Sequence, residues 1–204
     1  MVDALDLIGV FVFAVSGCLI AIRHRMDAVG LLALGLVTGL AGGILRDLLL
    51  GETPPRSLVQ NRYLLVPVAA AVATVAVPRL LRRMRQPVLF FDAVGLGLFA
   101  VVGAARAHEE GVTVASAVLI GTIAAVGGGL LRDLLAGEVP QIFVAGSVLY
   151  AIPAAAGALL TVVGLRADLD PGAVQGSAAA LVVLLRILAL RYGWHAPLPH
   201  RNHD

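Results

Sequence analysis

Lysine is absent from this 204-residue chain, whose 15 basic residues are all arginine. A phosphate-binding loop of the usual kind is thereby excluded, because its glycines must run into Gly-Lys-Ser/Thr. The single cysteine, Cys18, lies in an apolar run, so neither a disulfide framework nor a cysteine-based metal site can be built. A buried, inert thiol is its plain assignment. Charged residues make up only 14% of the chain and the formal net charge is +2, which gives no reason to expect a nucleic-acid partner. The five histidines (His24, His108, His195, His200 and His203) fall in expected connections or in the tail, leaving none for a buried triad. Neither an enzyme nor a cofactor is expected, and no resident metal, although the histidine-rich tail has the chemistry for adventitious metal binding.

What fills the chain instead is apolar: 59% of residues are hydrophobic and the mean hydropathy is +0.95. No soluble domain of this length needs so much apolar surface, so the chain reads as a polytopic membrane protein. Arginine without lysine, together with abundant Ala, Gly, Leu and Val, reads as the codon bias of a GC-rich, bacterial genome. Asp3 and Asp6 stand where a signal peptide would carry positive charge, and the first apolar run continues to Ile22. That run is therefore expected to be a retained first helix.

Runs long enough to cross the hydrocarbon core, about 20 residues each, fall near 5–22, 28–50, 63–80, 89–107, 112–136, 144–164 and 172–192. Charged or turn-rich segments separate them, among them Arg23-His24-Arg25, Gly51 to Arg62, Pro78 to Pro87 and Arg166 to Gly172. The expectation is an all-α membrane protein with seven transmembrane helices in one domain over 1–204, ending in a short tail at 193–204.

Thirteen residues occur twice. Gly42-Gly43-Ile44-Leu45-Arg46-Asp47-Leu48-Leu49-Leu50-Gly51-Glu52-Thr53-Pro54 returns 86 positions later as Gly128-Gly129-Leu130-Leu131-Arg132-Asp133-Leu134-Leu135-Ala136-Gly137-Glu138-Val139-Pro140, with ten of thirteen positions identical. The offset also pairs Asp6 with Asp92, Gly9 with Gly95, Phe13 with Phe99, Gly17 with Gly103, Gly35 with Gly121 and Pro67 with Pro153. Each copy spans three helices, about 6–80 and 92–166, and the seventh helix, about 172–192, stands outside the duplication. An odd number of spans per copy inverts the second in the membrane. The expected result is an inverted 3+3 repeat about a pseudo-two-fold axis, plus one extra helix.

Arginine counts give the orientation. Arg23, Arg25, Arg79, Arg82, Arg83, Arg85, Arg191 and Arg201 lie on one side, against Arg56, Arg62, Arg106 and Arg166 on the other. The richer side faces the cytoplasm, which puts the N-terminus outside and the C-terminus inside a bacterial inner membrane. The run from Arg79 to Arg85 is a topology signal on this reading, with a lipid-headgroup or nucleic-acid patch as its alternative.

The doubled block joins a glycine break to a charged pair, both of which lipid tolerates poorly. Gly42, Gly43, Gly128 and Gly129 free the backbone to leave helical geometry, and open backbone is accepted only where protein or water satisfies it. Freed carbonyls suit a desolvating cation, while a helix N-terminus at the break suits a substrate carboxylate. Arg46, Asp47, Arg132 and Asp133 each cost about 2.5–3.5 kcal/mol at mid-depth unless paired or hydrated. Neighbouring residues on a helix point about 100° apart, so the expected pairs cross between the copies: Arg46 with Asp133, and Arg132 with Asp47. These pairs either line the path or only brace its halves. Phe13 and Phe99 are a candidate constriction that gates by dewetting, or else core packing. Asp6 and Asp92 are candidate cation-attracting mouths, or else favourable charges at helix N-termini. Ser16 and Thr38 can bond back to their own helices and carry little weight.

With its Gly-Gly-x-Leu-Arg-Asp-Leu-Leu-x-Gly-Glu-x-Pro blocks, its three-plus-three-plus-one layout and its ending Arg191-Tyr-Gly-Trp-His-Ala-Pro-Leu-Pro199, the chain resembles the prokaryotic trimeric intracellular cation (TRIC) channel family, a bacterial family also labelled glycine transporters. The likeness covers nearly the whole chain. It implies a homotrimer in the membrane, each subunit with an hourglass pore for monovalent cations, chiefly potassium, and kinks at Gly42, Gly43, Gly128 and Gly129. Animal relatives bind an inositol phospholipid through a lysine-bearing motif, which a chain without lysine does not carry over. Two function classes stay open here: a passive potassium channel, and a secondary transporter for glycine or another small zwitterion, in which Arg would take the carboxylate and Asp the ammonium. A membrane scaffold without flux is a third.

Overall fold

The computed structural model describes residues 1–77, 87–144 and 149–195. Arg79, Arg82, Arg83, Arg85, Arg201, His200, His203 and the Ala196–Pro199 end of the terminal motif lie outside the described residues, as does the far end of the expected span 63–80. Among the described residues the fold is all-α. Its helices are α1 (Val2–Arg23), α2 (Ala28–Leu49), the one-turn α3 (Arg56–Val59), α4 (Asn61–Ala76), α5 (Pro87–Glu109), α6 (Val114–Leu135), α7 (Ala151–Arg166) and α8 (Pro171–Tyr192), with a 3-10 turn at Gln141–Phe143.

Five of these, α1, α2, α5, α6 and α8, are long and apolar enough to cross a membrane. α4 and α7 have 16 residues each, about 24 Å of helix, roughly a turn short of the hydrocarbon thickness. In the expected span 144–164 the described helix starts at Ala151, after the 3-10 turn, and residues 145–148 lie outside the described residues. The boundaries of the long helices otherwise lie within a few residues of the apolar runs.

α1 packs on α2 and α5 on α6, and the two pairs join through α1 against α5 and α2 against α6. α4 lies on α1 and α2, α7 on α5 and α6, and α8 on α5 and α7. Burial follows this order, with 72% of the apolar window of α5 and 67% of that of α1 inside, against 33% for α8. In lipid, helices gain no hydrophobic free energy by associating, so close packing of small residues must hold them. Gly17 lies against Thr38 and the Leu34 carbonyl, and Gly103 lies against the backbone of Gly121 and against Ala124, the repeat mate of Thr38.

The helix ends explain the last part of the doubled block. Gly51 (φ 77°) and Gly137 (φ 73°) are left-handed, a conformation that favours glycine. The Gly51 N–H donates to the Leu48 carbonyl (3.1 Å) and the Glu52 N–H to the Asp47 carbonyl (2.9 Å). Gly137 and Glu138 repeat both bonds, onto Leu134 (3.1 Å) and Asp133 (2.9 Å). These are Schellman stops that satisfy the last carbonyls of α2 and α6.

The expected break is not there. α2 and α6 run as unbroken α-helix through Gly42-Gly43 and Gly127-Gly128-Gly129. Glycine permits an open backbone but does not require one, and here its missing side chain is the feature used. A Cβ on Gly42 would fall onto the Ala124 carbonyl of α6, and one on Gly128 onto the Thr38 carbonyl of α2. Thr38 and Ala124 are themselves 86 positions apart, so one contact serves the α2–α6 crossing twice.

Candidate functional site

Two buried ionic clusters form, one in each copy. In the first, Arg46 donates from Nε to Asp47 Oδ1 (2.8 Å) and from Nη1 to Asp6 Oδ1 (3.0 Å), while its Nη2 also reaches Asp47 Oδ1 (2.7 Å). Tyr63 on α4 donates its hydroxyl to Asp6 Oδ2 (2.9 Å), and the Arg56 N–H donates to Asp47 Oδ2 (2.9 Å). Arg46, Asp47 and Asp6 are each 1% exposed.

In the second, Arg132 donates from Nε to Asp133 Oδ1 (2.9 Å) and from Nη1 to Asp92 Oδ1 (2.7 Å). Tyr150 donates to the same Asp92 oxygen (3.2 Å), and the Gln141 N–H donates to Asp133 Oδ2 (3.3 Å). Arg132 Nη1 also donates to Ser16 Oγ on α1, 2.7 Å away, which ties the second cluster to the first copy.

The expected cross-copy bridges, Arg46 to Asp133 and Arg132 to Asp47, are therefore replaced by pairs within each copy. The 100° between adjacent Cβ directions is spanned by the length of the arginine side chain, which curls back onto its neighbour. The face of α2 that meets α6 is the glycine face, so Arg46 looks toward α1 instead. Each guanidinium thus has two carboxylates, and burial that would be prohibitive for a lone charge is compensated by direct hydrogen bonds. Asp6 and Asp92 are not open mouths either: at 1% and 0% exposure they are the counter-charges of Arg46 and Arg132.

Phe13 and Phe99 meet. Their rings stack with centroids 5.3 Å apart and planes 15° from parallel, at 0% and 1% exposure. Each ring rests on glycines of the other copy: Phe13 on Gly95 and Gly128, Phe99 on Gly9 and Gly42. Phe13 lies seven residues beyond Asp6 along α1, and Phe99 seven beyond Asp92 along α5. Gly43 is looser, with an added Cβ meeting Arg46 and Phe99 only at 3.7 Å, whereas a Cβ on Gly129 would fall on the Tyr150 hydroxyl and come within 3.2 Å of Asp92.

Outside the spans, Arg56 Nε donates to Glu52 Oε2 at 2.7 Å, and this bond holds the Glu52 carboxyl below the usual range and raises the Arg56 guanidinium. The equivalent Glu138 turns instead to the first copy, to His24 Nε2 (2.8 Å) and Arg23 Nη1 (3.9 Å).

Sequence reasoning missed Tyr63, Tyr150 and Arg186, and undervalued Ser16. Tyr150 stands 87 positions after Tyr63, one off the repeat, so gapless alignment hides it. Arg186 is fully buried on α8, donates to the Leu149 carbonyl (2.7 Å) and to Gln141, and lies 4.8 Å from the centroid of the Tyr150 ring. Its signal was available: one charge inside an apolar span.

Comparisons with known proteins converge on one family. A family model described as Glycine transporter matches residues 3–79 and 89–166, the two copies. A UPF0126 membrane protein of Deinococcus radiodurans is 40% identical over 194 residues, covering 95% of this chain and 90% of the relative. The UPF0126 inner membrane protein YadS of Escherichia coli K12 is 35% identical over 201 residues, covering 96% and 93%. The solved structure of a TRIC trimeric intracellular cation channel orthologue from Rhodobacter sphaeroides superposes with a TM-score of 0.88 at 37% identity, covering 94% of this chain and 98% of that one. The chain is a membrane protein of the family described as Glycine transporter, the family of the TRIC channels.

Proposed function

We propose that the chain is a passive channel for monovalent cations, chiefly potassium, working as a homotrimer with a path in each subunit. Seven spans, α1, α2, α4, α5, α6, α7 and α8, cross a bacterial inner membrane as an inverted 3+3 repeat plus α8, in one domain with the N-terminus outside and the C-terminus cytoplasmic. The path follows the junction of α1, α2, α5 and α6. Its midpoint is the Phe13–Phe99 stack, with one ionic cluster toward each face; Gly42 and Gly128 let α2 and α6 approach closely there, while Gly43 and Gly129 border the Arg46 and Asp92 clusters.

The observation that carries this reading is the double compensation of each arginine. An unneutralised guanidinium in the path would repel cations, but Arg46 faces Asp6 and Asp47, and Arg132 faces Asp92 and Asp133. Counting Arg46 against its two aspartates leaves a formal −1, which favours a cation over an anion. The solved neighbours that superpose on the chain are described as cation channels.

A carrier for glycine is the second reading, favoured by the description of the family model. It requires the substrate carboxylate to displace an aspartate already bonded to each arginine. Purified protein in potassium-loaded vesicles tests the two. Potassium efflux that proceeds without glycine and does not saturate supports the channel; saturable glycine uptake without ion current removes it.

A further inference from the structure

At the end of the subunit where α1 and α8 begin and α5 and α7 finish, a cleft of about 510 Å³ lies between the helix ends. That volume is in the range of small-molecule sites. Gln175, on the first turns of α8, lines it at 2% exposure, and its amide oxygen has no hydrogen-bond partner. A buried acceptor without a donor is destabilising, so a ligand there gains by bringing an N–H. Glu109 and Asp168 line the same cleft and are exposed, two carboxylates against the one α-ammonium of Met1, which lines it too. Leu165 and Leu169 supply an apolar wall.

The acceptors do not describe a metal site. Among the described residues no three of His, Cys, Asp or Glu converge closely enough to hold a metal ion, although His108, Glu109 and Asp168 all line the cleft. Acceptors spread along an amphipathic cleft suit an extended organic cation, whose N–H groups reach the amide while its carbon chain lies on the leucines. The helix ends that form the cleft belong to membrane-spanning helices, and an amine-bearing amphiphile is abundant at such an interface.

We infer that this cleft binds a primary ammonium group, with Gln175 Oε1 accepting from it and Glu109 and Asp168 supplying the counter-charge. The head of an ethanolamine phospholipid and a soluble alkylamine share this chemistry. The inference depends on the chain lying in a membrane but not on its conducting ions.

Native mass spectrometry of the whole protein, with no tag added before Met1, tests it. Ethanolamine-headed and choline-headed phospholipids with the same acyl chains are offered in turn. The choline head has no N–H for Gln175, so the ethanolamine lipid is expected to be retained about five-fold better, the equivalent of one hydrogen bond. Gln175→Leu should abolish the preference while leaving the lipid-free protein as stable as before or more so, because it removes a buried acceptor. Asp168→Asn, at an exposed position, should weaken retention of the ethanolamine lipid by a similar factor. Free ethanolamine added as competitor identifies the source: displacement of the lipid marks a site for soluble amines, and persistence of the lipid marks a headgroup site. Equal retention of the two lipids by the unaltered protein overturns the inference, as does a preference that survives Gln175→Leu. Potassium flux measured on the same preparation judges the channel reading separately.

Discussion

Phe13 and Phe99, 86 positions apart, stack at 5.3 Å with each ring seated on glycines of the opposite copy. The pair is one of the places where the two halves of the duplication touch, and aromatic stacking of this kind contributes about 0.5–1.5 kcal/mol beyond area burial. If the stack is the constriction of the path, shrinking it should widen the path. Phe99→Leu, which keeps most of the packing, is expected to raise single-channel potassium conductance, and Phe13→Leu to do the same. Unchanged conductance in both, with trimers intact by light scattering, would assign the rings to packing alone.

The glycines of the doubled block are not equivalent. Gly42→Ala and Gly128→Ala drive a Cβ into a backbone carbonyl of the facing helix, and each should cost about 1–3 kcal/mol of stability. Gly43→Ala meets only ordinary contacts at 3.7 Å and should be close to neutral, or stabilising by up to about 1 kcal/mol through helix propensity. Thermal unfolding in detergent ranks the three. Equal losses at Gly42 and Gly43 would restore the hinge that the unbroken helix argues against.

The ionic clusters predict which residues are coupled. Removing Arg46 strands two buried carboxylates, at a cost of about 3–5 kcal/mol. A double-mutant cycle of Arg46→Met with Asp6→Asn should give a coupling energy of about 0.5–3 kcal/mol, and the same cycle with Asp133→Asn close to none. Coupling in the second cycle but not the first would reinstate the bridge between copies.

Tyr63→Phe removes the hydroxyl that caps Asp6 Oδ2 at 2.9 Å and leaves that oxygen buried. A loss of about 1–3 kcal/mol is expected in chemical unfolding. Tyr150→Phe tests the second cluster in the same way, and no loss at either site would mean that the carboxylates are satisfied without them.

The Glu52–Arg56 clasp carries a pH signature. Because Arg56 holds the Glu52 carboxyl below its ordinary range, the clasp's contribution is fully present above the unfolded carboxyl value of about 4.3. It is lost as pH falls through the lower folded value. Glu52→Gln should therefore differ from the unaltered protein in unfolding temperature at neutral pH and converge with it in acid. A difference that persists in acid would point to something other than the charge.

Much of this was legible in the sequence because a duplication marks the same requirement twice. The repeated Gly-Gly, Arg-Asp and Gly-Glu became, respectively, the close helix crossing, the buried cluster and the Schellman stop. Phe13 and Phe99 were found by offset alone and do meet. What the offset could not give was side-chain reach. Helical geometry separates Arg46 from Asp47 by 100°, and only the rotamer shows the guanidinium curling back. Tyr150, displaced by one residue, and Arg186, outside the duplication, carry no repeat signal. Helix continuity through Gly128 was also hidden, because glycine tolerates both a break and a tight crossing. Tertiary packing decides between them.

Reconstituted protein under a potassium chloride gradient gives the most direct measurement of the central claim, that compensated arginines leave a path for cations. The account predicts discrete unitary currents whose reversal potential lies close to the potassium equilibrium value, and an Asp6→Asn, Asp92→Asn double variant that shifts it toward chloride. A reversal potential near the chloride value in the unaltered protein, or intact trimers that pass no ion current, would contradict it.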